Sequence, residues 1–159
     1  MQETTSTASL SVFLDLDGVT HTEPCADINK YFSQLPLIAE VLKEYAIEVD
    51  ISSSWRTVYT LNEIKDQFLP EIGHLIVGAT PDLTKPNSDW TPPTSGAERQ
   101  AEIEKWLKDN RQWGQPWIAI DDRASWFAPD CRQLLCTNRS TGFTAEDAMQ
   151  LHAMIKEYL

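Results

Sequence analysis

FLDLDGV, residues 13–19, is the stretch that decides the fold of this chain. It overlaps an apolar run, SVFLD at 11–15, which is typical of a strand buried on both faces of a parallel sheet. The run ends in Asp15, and a second carboxylate, Asp17, stands directly before a glycine. Isolated charges are costly to bury, so acids at the end of a buried strand need partners or a cation. The stretch therefore predicts a buried strand that carries charged groups to one edge of a sheet.

The rest of the chain alternates between strand-like and helix-like segments. Short apolar or β-branched runs predict strands, and apolar residues at helical spacing predict helices. The predicted strands are 11–15, 46–52, 74–77, 117–120 and 133–136, and the predicted helices are 35–45, 60–68, 96–110 and 144–158. Such an order predicts an α/β fold, a three-layer Rossmann-like architecture with a central parallel sheet of about five strands.

Polar side chains collect where the predicted strands end. In parallel sheets, ligands bind at the carboxyl ends of the strands. That edge receives Asp15 and Asp17 from the first strand, residues 52–54 (SSS) from the second, and Asp121 with Asp122 from the fourth. The strand order and the polar pattern therefore predict one functional site.

A basic residue should join these groups. Arg99 lies one helical turn before Ile103, on the inward face of the helix that follows the third strand, where its charge needs a partner. Converging carboxylates repel one another and call for a cation, and hard oxygen ligands suit Mg²⁺. A cation, a hydroxyl and an arginine around an aspartate would make a phosphate cradle, and aspartate can serve as a covalent nucleophile for phosphate.

The motifs together resemble those of the haloacid-dehalogenase (HAD) superfamily. FLDLDGV resembles its first motif, DxDG[VT], ISSSWR at 51–56 resembles the second, and IDD at 120–122 resembles the fourth. More narrowly, GATPDL at 78–83, Arg99 and GFT at 142–144 are similar to the HAD domains of Swiss Army knife RNA-repair proteins. The resemblance extends over residues 11–158, nearly the whole chain.

The resemblance implies a role for each matching residue. Asp15 would attack phosphorus and also ligate Mg²⁺, while Asp17 would act as general acid and base and ligate the metal through its carbonyl. Asp121 and Asp122 would complete the metal site. Arg99 would neutralise the phosphorylated aspartate where most of the superfamily has lysine. An acid two residues after the nucleophile separates the phosphatases of this superfamily from the dehalogenases, so phosphate monoesters are the expected substrates.

Several assignments stay open between neighbouring residues. Either Ser53 or Ser54 would bind the transferring phosphoryl group, because the two possible alignments of 51–56 differ by one residue. Lys85 and Lys105 compete with Arg99 for the basic role. A local surface pair with Glu98 or Glu102 is the alternative for Arg99, and a pair with Arg123 is the alternative to metal contact for Asp122. His21 is close to the first motif and could touch substrate, and Trp106 and Trp117 are expected in the core.

Length and composition limit the classes of protein. With 159 residues the chain fits one domain, which we place at 11–159 after a disordered tail at 1–10. No secretory signal or membrane-spanning run is evident, and three scattered cysteines fit a reducing compartment, so we expect a cytoplasmic protein. A net charge of −11 argues against non-specific binding of nucleic acid by charge.

The sequence is compatible with three functions. The first is a Mg²⁺-dependent phosphatase acting through an aspartyl-phosphate. The second is a non-catalytic HAD-like module that recognises a phosphorylated partner. The third is a 3′- or 5′-phosphatase of nucleic-acid ends. The intervals at 18–46 and 79–95 are too short for a folded cap domain, so we expect a capless, open site that accepts a small phosphate or a macromolecular end.

Overall fold

The computed structural model of the protein describes residues 10–83, 97–111 and 114–159. The predicted tail, apart from Leu10, lies outside the described residues. So do Lys85 and most of the loop predicted at 79–95.

Within the described residues, the fold consists of five parallel strands and four α-helices. The strands are β1 (Ser11–Leu14), β2 (Glu48–Ile51), β3 (Ile76–Ala79), β4 (Trp117–Asp121) and β5 (Leu134–Cys136). The helices are α1 (Leu35–Leu42), α2 (Leu61–Glu63), α3 (Glu98–Asn110) and α4 (Ala145–Lys156). The strand order is β3-β2-β1-β4-β5, and every neighbouring pair is parallel. The predicted α/β architecture is confirmed.

Each face of the sheet is covered by helices, which gives three layers. Side chains from β1, β2 and β4 such as Leu14, Ile51 and Ile120 pack with α1 and α4 in the larger apolar core. Phe13 and Ala119 point to the other face and pack with Ile103 and Leu107 of α3. Because both faces are buried, the strands read as almost continuous apolar runs. Within the described ranges, no helix has the length and apolar character needed to cross a membrane.

The third predicted strand is shifted in the structure, and part of the second predicted helix is a different type of helix. The third strand begins at Ile76 rather than residue 74, because 73–75 form a 3₁₀ turn, and it continues through Gly78 to Ala79. Glycine usually weakens a strand, but here a Cβ at Gly78 would collide with the indole of Trp106, so close packing requires the glycine. The helix predicted at 60–68 begins with a Thr60–Glu63 capping box but continues as a π-helical turn, Ile64–Phe68.

A buried ion pair lies beside Trp106. Trp106 was predicted in the core, but it is only half-buried. Asp50 of β2 is fully buried, and Arg111 Nη2 donates to its two carboxylate oxygens at 3.2 and 3.0 Å. Arg111 Nε also lies 3.2 Å from Glu48 Oε2. Burial raises the pKa of Asp50 to about 6, although the Arg111 charge opposes the shift.

The raised pKa makes stability depend on pH. Asp50 takes up a proton near pH 6 in the folded protein but only near pH 3.8 in the unfolded chain. The protonated group therefore contributes its full stability below about pH 3.8, and this contribution is lost as the pH rises through about 6. We expect the unfolding free energy of the native protein, relative to Asp50→Asn, to fall by roughly 2–3 kcal/mol from about pH 4 to pH 7. Urea unfolding of both proteins across this range measures the difference. A difference that does not change with pH would contradict the assignment.

Candidate functional site

The loop after β1 begins the site, at the carboxyl edge of the sheet. The Asp15 amide donates to Ile120 O at 3.0 Å, which continues the β1–β4 ladder into the loop. Gly18 then adopts φ +78°, and a Cβ there would collide with the Asp122 carboxylate. Thr137 follows β5, and its Oγ1 donates to Gly18 O at 2.8 Å. The glycine of the first motif is therefore needed both for its backbone conformation and for close approach to Asp122.

Three carboxylates converge beneath this loop. Asp15, Asp121 and Asp122 each place one oxygen within 4.8 Å of the other two. Asp121 is fully buried, Asp15 is 5% exposed, and the side chain of Asp122 is 3% exposed. Burial raises the pKa of Asp15 well above its usual range, and the charge of Asp121 adds to the effect. Burial also raises the pKa of Asp121.

Arg99 pairs with two of these carboxylates. Its Nη1 lies 2.9 Å from Asp121 Oδ2 and 3.2 Å from Asp15 Oδ1. Its guanidinium lies over the ring of Trp126, 4.6 Å from the centroid. Burial alone would lower the pKa of Arg99, but the charges of Asp15 and Asp121 outweigh burial and raise it. The inward orientation predicted for Arg99 is thus observed, and the alternative of a surface pair with Glu98 or Glu102 is wrong.

The other basic candidates have different surroundings. Lys105 pairs with Asp109 on the exposed face of α3 at 2.9 Å. Arg123, the alternative partner of Asp122, instead stacks over Trp126 at 4.7 Å, while Arg139 Nε lies 3.6 Å from Asp122 Oδ2.

The hydrogen bonds of Asp17 join it to His21 and Trp55 rather than to the carboxylate cluster. His21 Nε2 lies 2.9 Å from Asp17 Oδ1, and Trp55 Nε1 donates to both carboxylate oxygens at 3.1 Å. The hydrogen bond from His21 lowers the pKa of Asp17, burial opposes it, and the bond from Trp55 lowers it further. Asp17 is therefore ionised near neutral pH in the free protein, which is the form required of a general base.

Three consecutive serines follow β2 and differ in their surroundings. Ser53 is fully buried and its Oγ accepts from the Trp55 amide at 3.2 Å, which leaves its own hydroxyl proton available. Ser54 is exposed and lines a cavity. The hydroxyl groups of Ser52 and Thr80, at the ends of β2 and β3, are buried and have no hydrogen-bond partner in the described part of the chain. This edge of the sheet thus has unsatisfied polar groups that a bound ligand or water could pair with.

Arg56 holds the serine segment in place, a role that sequence reasoning missed. Its guanidinium donates to the carbonyls of Ser53 and Thr80, both at 2.8 Å, and to Glu102 Oε1 at 3.0 Å. Glu102 Oε2 in turn accepts from the Leu83 amide at 3.0 Å. No spacing rule in the sequence predicts such a clamp, because its partners come from three separate segments.

An open cavity of about 360 Å³ lies beside Arg99. Its walls mix basic, acidic and aromatic side chains from the segments after β2 and β3, from α3 and from the turn after β4: Ser54, Arg56, Thr57, Asp82, Glu98, Arg99, Glu102 and Trp126. Arg99 and Ser54 are the predicted site residues that line this cavity.

The donor set fits a divalent cation. Three buried carboxylates carry more negative charge than the guanidinium groups of Arg99 and Arg139 balance. A cation among them would offset the burial and the repulsion that raise the pKa of Asp15. Oxygen ligands alone favour Mg²⁺ over the softer transition metals.

The comparison with protein families agrees with this geometry. A model of the HAD domain in Swiss Army Knife RNA repair proteins matches residues 11–148, which include every predicted site residue. A search of curated proteins found no match. The family match covers most of the chain, and its first, second and fourth motifs meet at one edge of the sheet. The chain therefore belongs to the family of HAD domains found in Swiss Army Knife RNA repair proteins.

Proposed function

We propose that this protein is a Mg²⁺-dependent phosphatase that hydrolyses phosphate monoesters through an aspartyl-phosphate on Asp15. The observation that carries the proposal is the position of Asp15. Its carboxylate lies within 4.8 Å of two other buried carboxylates and 3.2 Å from Arg99. A nucleophile, a set of cation ligands and a fixed positive charge are the parts that phosphoryl transfer requires.

In the first step, Asp15 attacks phosphorus and the bond from phosphorus to the leaving oxygen breaks. Asp17 gives a proton to that oxygen, so the alcohol leaves neutral. Asp17 is ionised in the free protein, so it must receive this proton when the substrate binds. A phosphate monoester monoanion carries a proton on its phosphate group and can supply it. Arg99 stabilises the charge on the phosphoryl oxygens, and the hydroxyl of Ser53 or Ser54 donates to one of them.

In the second step, water attacks the phosphorus of the aspartyl-phosphate and gives its proton to Asp17. The bond between phosphorus and the Asp15 oxygen breaks, which releases inorganic phosphate. The proton that Asp17 took from water leaves with the phosphate, as H₂PO₄⁻, so both carboxyl groups return to their starting states. Asp15, Asp121 and Asp122, with the backbone carbonyl of Asp17, would hold Mg²⁺, whose positive charge would offset that of the carboxylates and phosphoryl group.

The physiological substrate is proposed from the family and the open site. The family is described as occurring in RNA repair proteins, which favours a phosphorylated RNA end. The cavity beside Arg99 is open to solvent, so a large substrate could present its terminal phosphate there. The net charge of −11 means that such recognition would depend on the site rather than on general attraction of the backbone phosphates.

Turnover should require Mg²⁺. We expect the protein to hydrolyse 4-nitrophenyl phosphate with Mg²⁺, to lose activity in EDTA, and to recover it when Mg²⁺ is restored. Mg²⁺ at ten times its Kd should also raise the unfolding free energy by about 1.4 kcal/mol. Asp121→Asn should need at least about tenfold more Mg²⁺ for both effects, whereas Asp66→Asn, on the exposed face of the π-helical turn, should behave as the native protein.

The outcomes separate the candidate functions. Activity that persists in EDTA would overturn the metal dependence. Binding of Mg²⁺ and inorganic phosphate without turnover of aryl phosphate, or of 3′- and 5′-phosphorylated oligonucleotides, would instead identify a non-catalytic phosphate-recognition module.

A further inference from the structure

The hydrogen bonds to Asp17 are unevenly shared between its two oxygens. Oδ1 receives the ring nitrogen of His21 at 2.9 Å and the indole N–H of Trp55 at 3.1 Å, whereas Oδ2 receives only the shared Trp55 bond. Each carboxylate oxygen has about two lone-pair directions. Oδ2 therefore keeps the capacity to carry a proton, while Oδ1 is held by the protein. The Asp17 side chain is 34% exposed, so its carboxylate is accessible to a ligand.

The hydrogen-bond network indicates which nitrogen of His21 carries the proton. Nδ1 lies 2.9 Å from Thr20 Oγ1, which itself donates to Leu16 O at 3.0 Å, and 3.4 Å from the Phe32 amide nitrogen. A carboxylate can only accept, so Nε2 carries the hydrogen that it donates to Asp17 Oδ1 at 2.9 Å.

Aromatic packing fixes His21 in this orientation. Its ring is 1% exposed and stacks on Tyr31 with centroids 4.6 Å apart and planes 14° apart. Phe32 meets its edge at 5.2 Å. Trp55 is held in turn by Phe68 at 5.2 Å. The two donors cannot follow a rotating carboxylate, so they select one rotamer of Asp17.

We propose that His21 and Trp55 are positioning residues, which hold the Asp17 carboxylate so that Oδ2 faces the leaving oxygen of the substrate. The inference rests on the proposed phosphatase function. Proton transfer needs a donor within hydrogen-bond reach of the leaving oxygen, and a small displacement of a catalytic group can cost about 100-fold in rate. A partly exposed aspartate without these two donors would sample several rotamers, and only some would reach that oxygen.

The test uses substrates that differ in their need for a proton. 4-Nitrophenolate leaves readily without protonation, whereas an alkoxide does not. We expect His21→Ala and Trp55→Phe to reduce kcat/KM for alkyl phosphates by about 10- to 100-fold and for 4-nitrophenyl phosphate by less than about threefold. We use kcat/KM because it reports on the steps up to departure of the leaving group. It does not include the later hydrolysis of the aspartyl-phosphate. Asp17→Asn should show the same selectivity more strongly.

Two further variants separate positioning from packing. His21→Gln keeps an N–H donor near the Nε2 position and should recover part of the alkyl phosphate activity. Leu151→Ala opens a cavity in the apolar core beneath α4, where this side chain is fully buried, so it should lower the unfolding midpoint and leave the alkyl-to-aryl ratio unchanged. Equal losses on both substrate types in His21→Ala and Trp55→Phe would overturn the inference while leaving the phosphatase intact. No turnover of either substrate by the native protein would overturn the proposed function and this inference with it.

Discussion

Asp15→Asn should reduce kcat by at least roughly 1,000-fold, the largest effect on activity that we expect from any single substitution. The amide has the shape of the carboxylate but is a very poor nucleophile, so the aspartyl-phosphate cannot form. The measurement is single-turnover and steady-state hydrolysis of 4-nitrophenyl phosphate. Acid-quenched protein from the native reaction should contain phosphate bound to Asp15, and the variant should contain none.

The same substitution should not destabilise the fold. Burial and the neighbouring Asp121 raise the pKa of Asp15 well above its usual range, so its negative charge is unfavourable in the folded protein without metal. Removing that charge should leave the unfolding midpoint in EDTA unchanged or higher. Asp66→Asn is the matched control, an exposed aspartate that should change neither activity nor stability. Substantial activity in Asp15→Asn would end the aspartyl-phosphate hypothesis.

Arg99→Met should cause the largest combined loss, about 3–5 kcal/mol in unfolding free energy and at least roughly 100-fold in kcat. Methionine fills much of the same volume but leaves Asp15 and Asp121 without the cation that lies 3.2 and 2.9 Å away. Because the lost interaction is a charge, Mg²⁺ should restore part of the stability of the variant. Urea unfolding with and without Mg²⁺ measures this recovery.

Two companion variants test whether Arg99 fills the basic role that the resemblance assigns to it. Arg99→Lys keeps the charge and should retain more stability and activity than Arg99→Met, although one ammonium cannot reproduce the planar guanidinium that contacts both carboxylates and Trp126. Lys105→Ala removes an exposed pair with Asp109 and should change stability by less than about 0.5 kcal/mol. A loss of activity in Lys105→Ala as large as in Arg99→Met would transfer the role to Lys105.

Much of the fold could be predicted because its determinants are local. The run SVFL forms β1, and Thr60 and Thr144 cap α2 and α4 at the starts predicted for these helices. The third strand was misplaced because the decisive contact is not local. Gly78 belongs to β3 because Trp106 of α3 packs against it, and no pattern near residue 78 indicates that contact.

Prediction of the site was uneven for a related reason. Residues at strand ends could be named, because parallel strands bring their carboxyl ends to one edge. The helical position of Arg99 indicated an inward charge, but its pairing with Asp15 and Asp121 appears only in the folded chain. Arg56 was missed because its hydrogen-bond partners lie in separate segments. They are the carbonyls of Ser53 and Thr80, which follow β2 and β3, and the carboxylate of Glu102 on α3.

The sequence by itself determined the α/β fold, the edge of the sheet that holds the site, and the acidic residues placed there. Strand burial, helical periodicity and capping act over a few residues, so they can be read from the chain directly. Only the tertiary structure decided which groups touch: Ser53 is buried and Ser54 is exposed, Asp122 lies under Gly18, and Asp17 is held by His21 and Trp55. These contacts join distant segments through helices packed on the sheet, so their geometry depends on the whole fold.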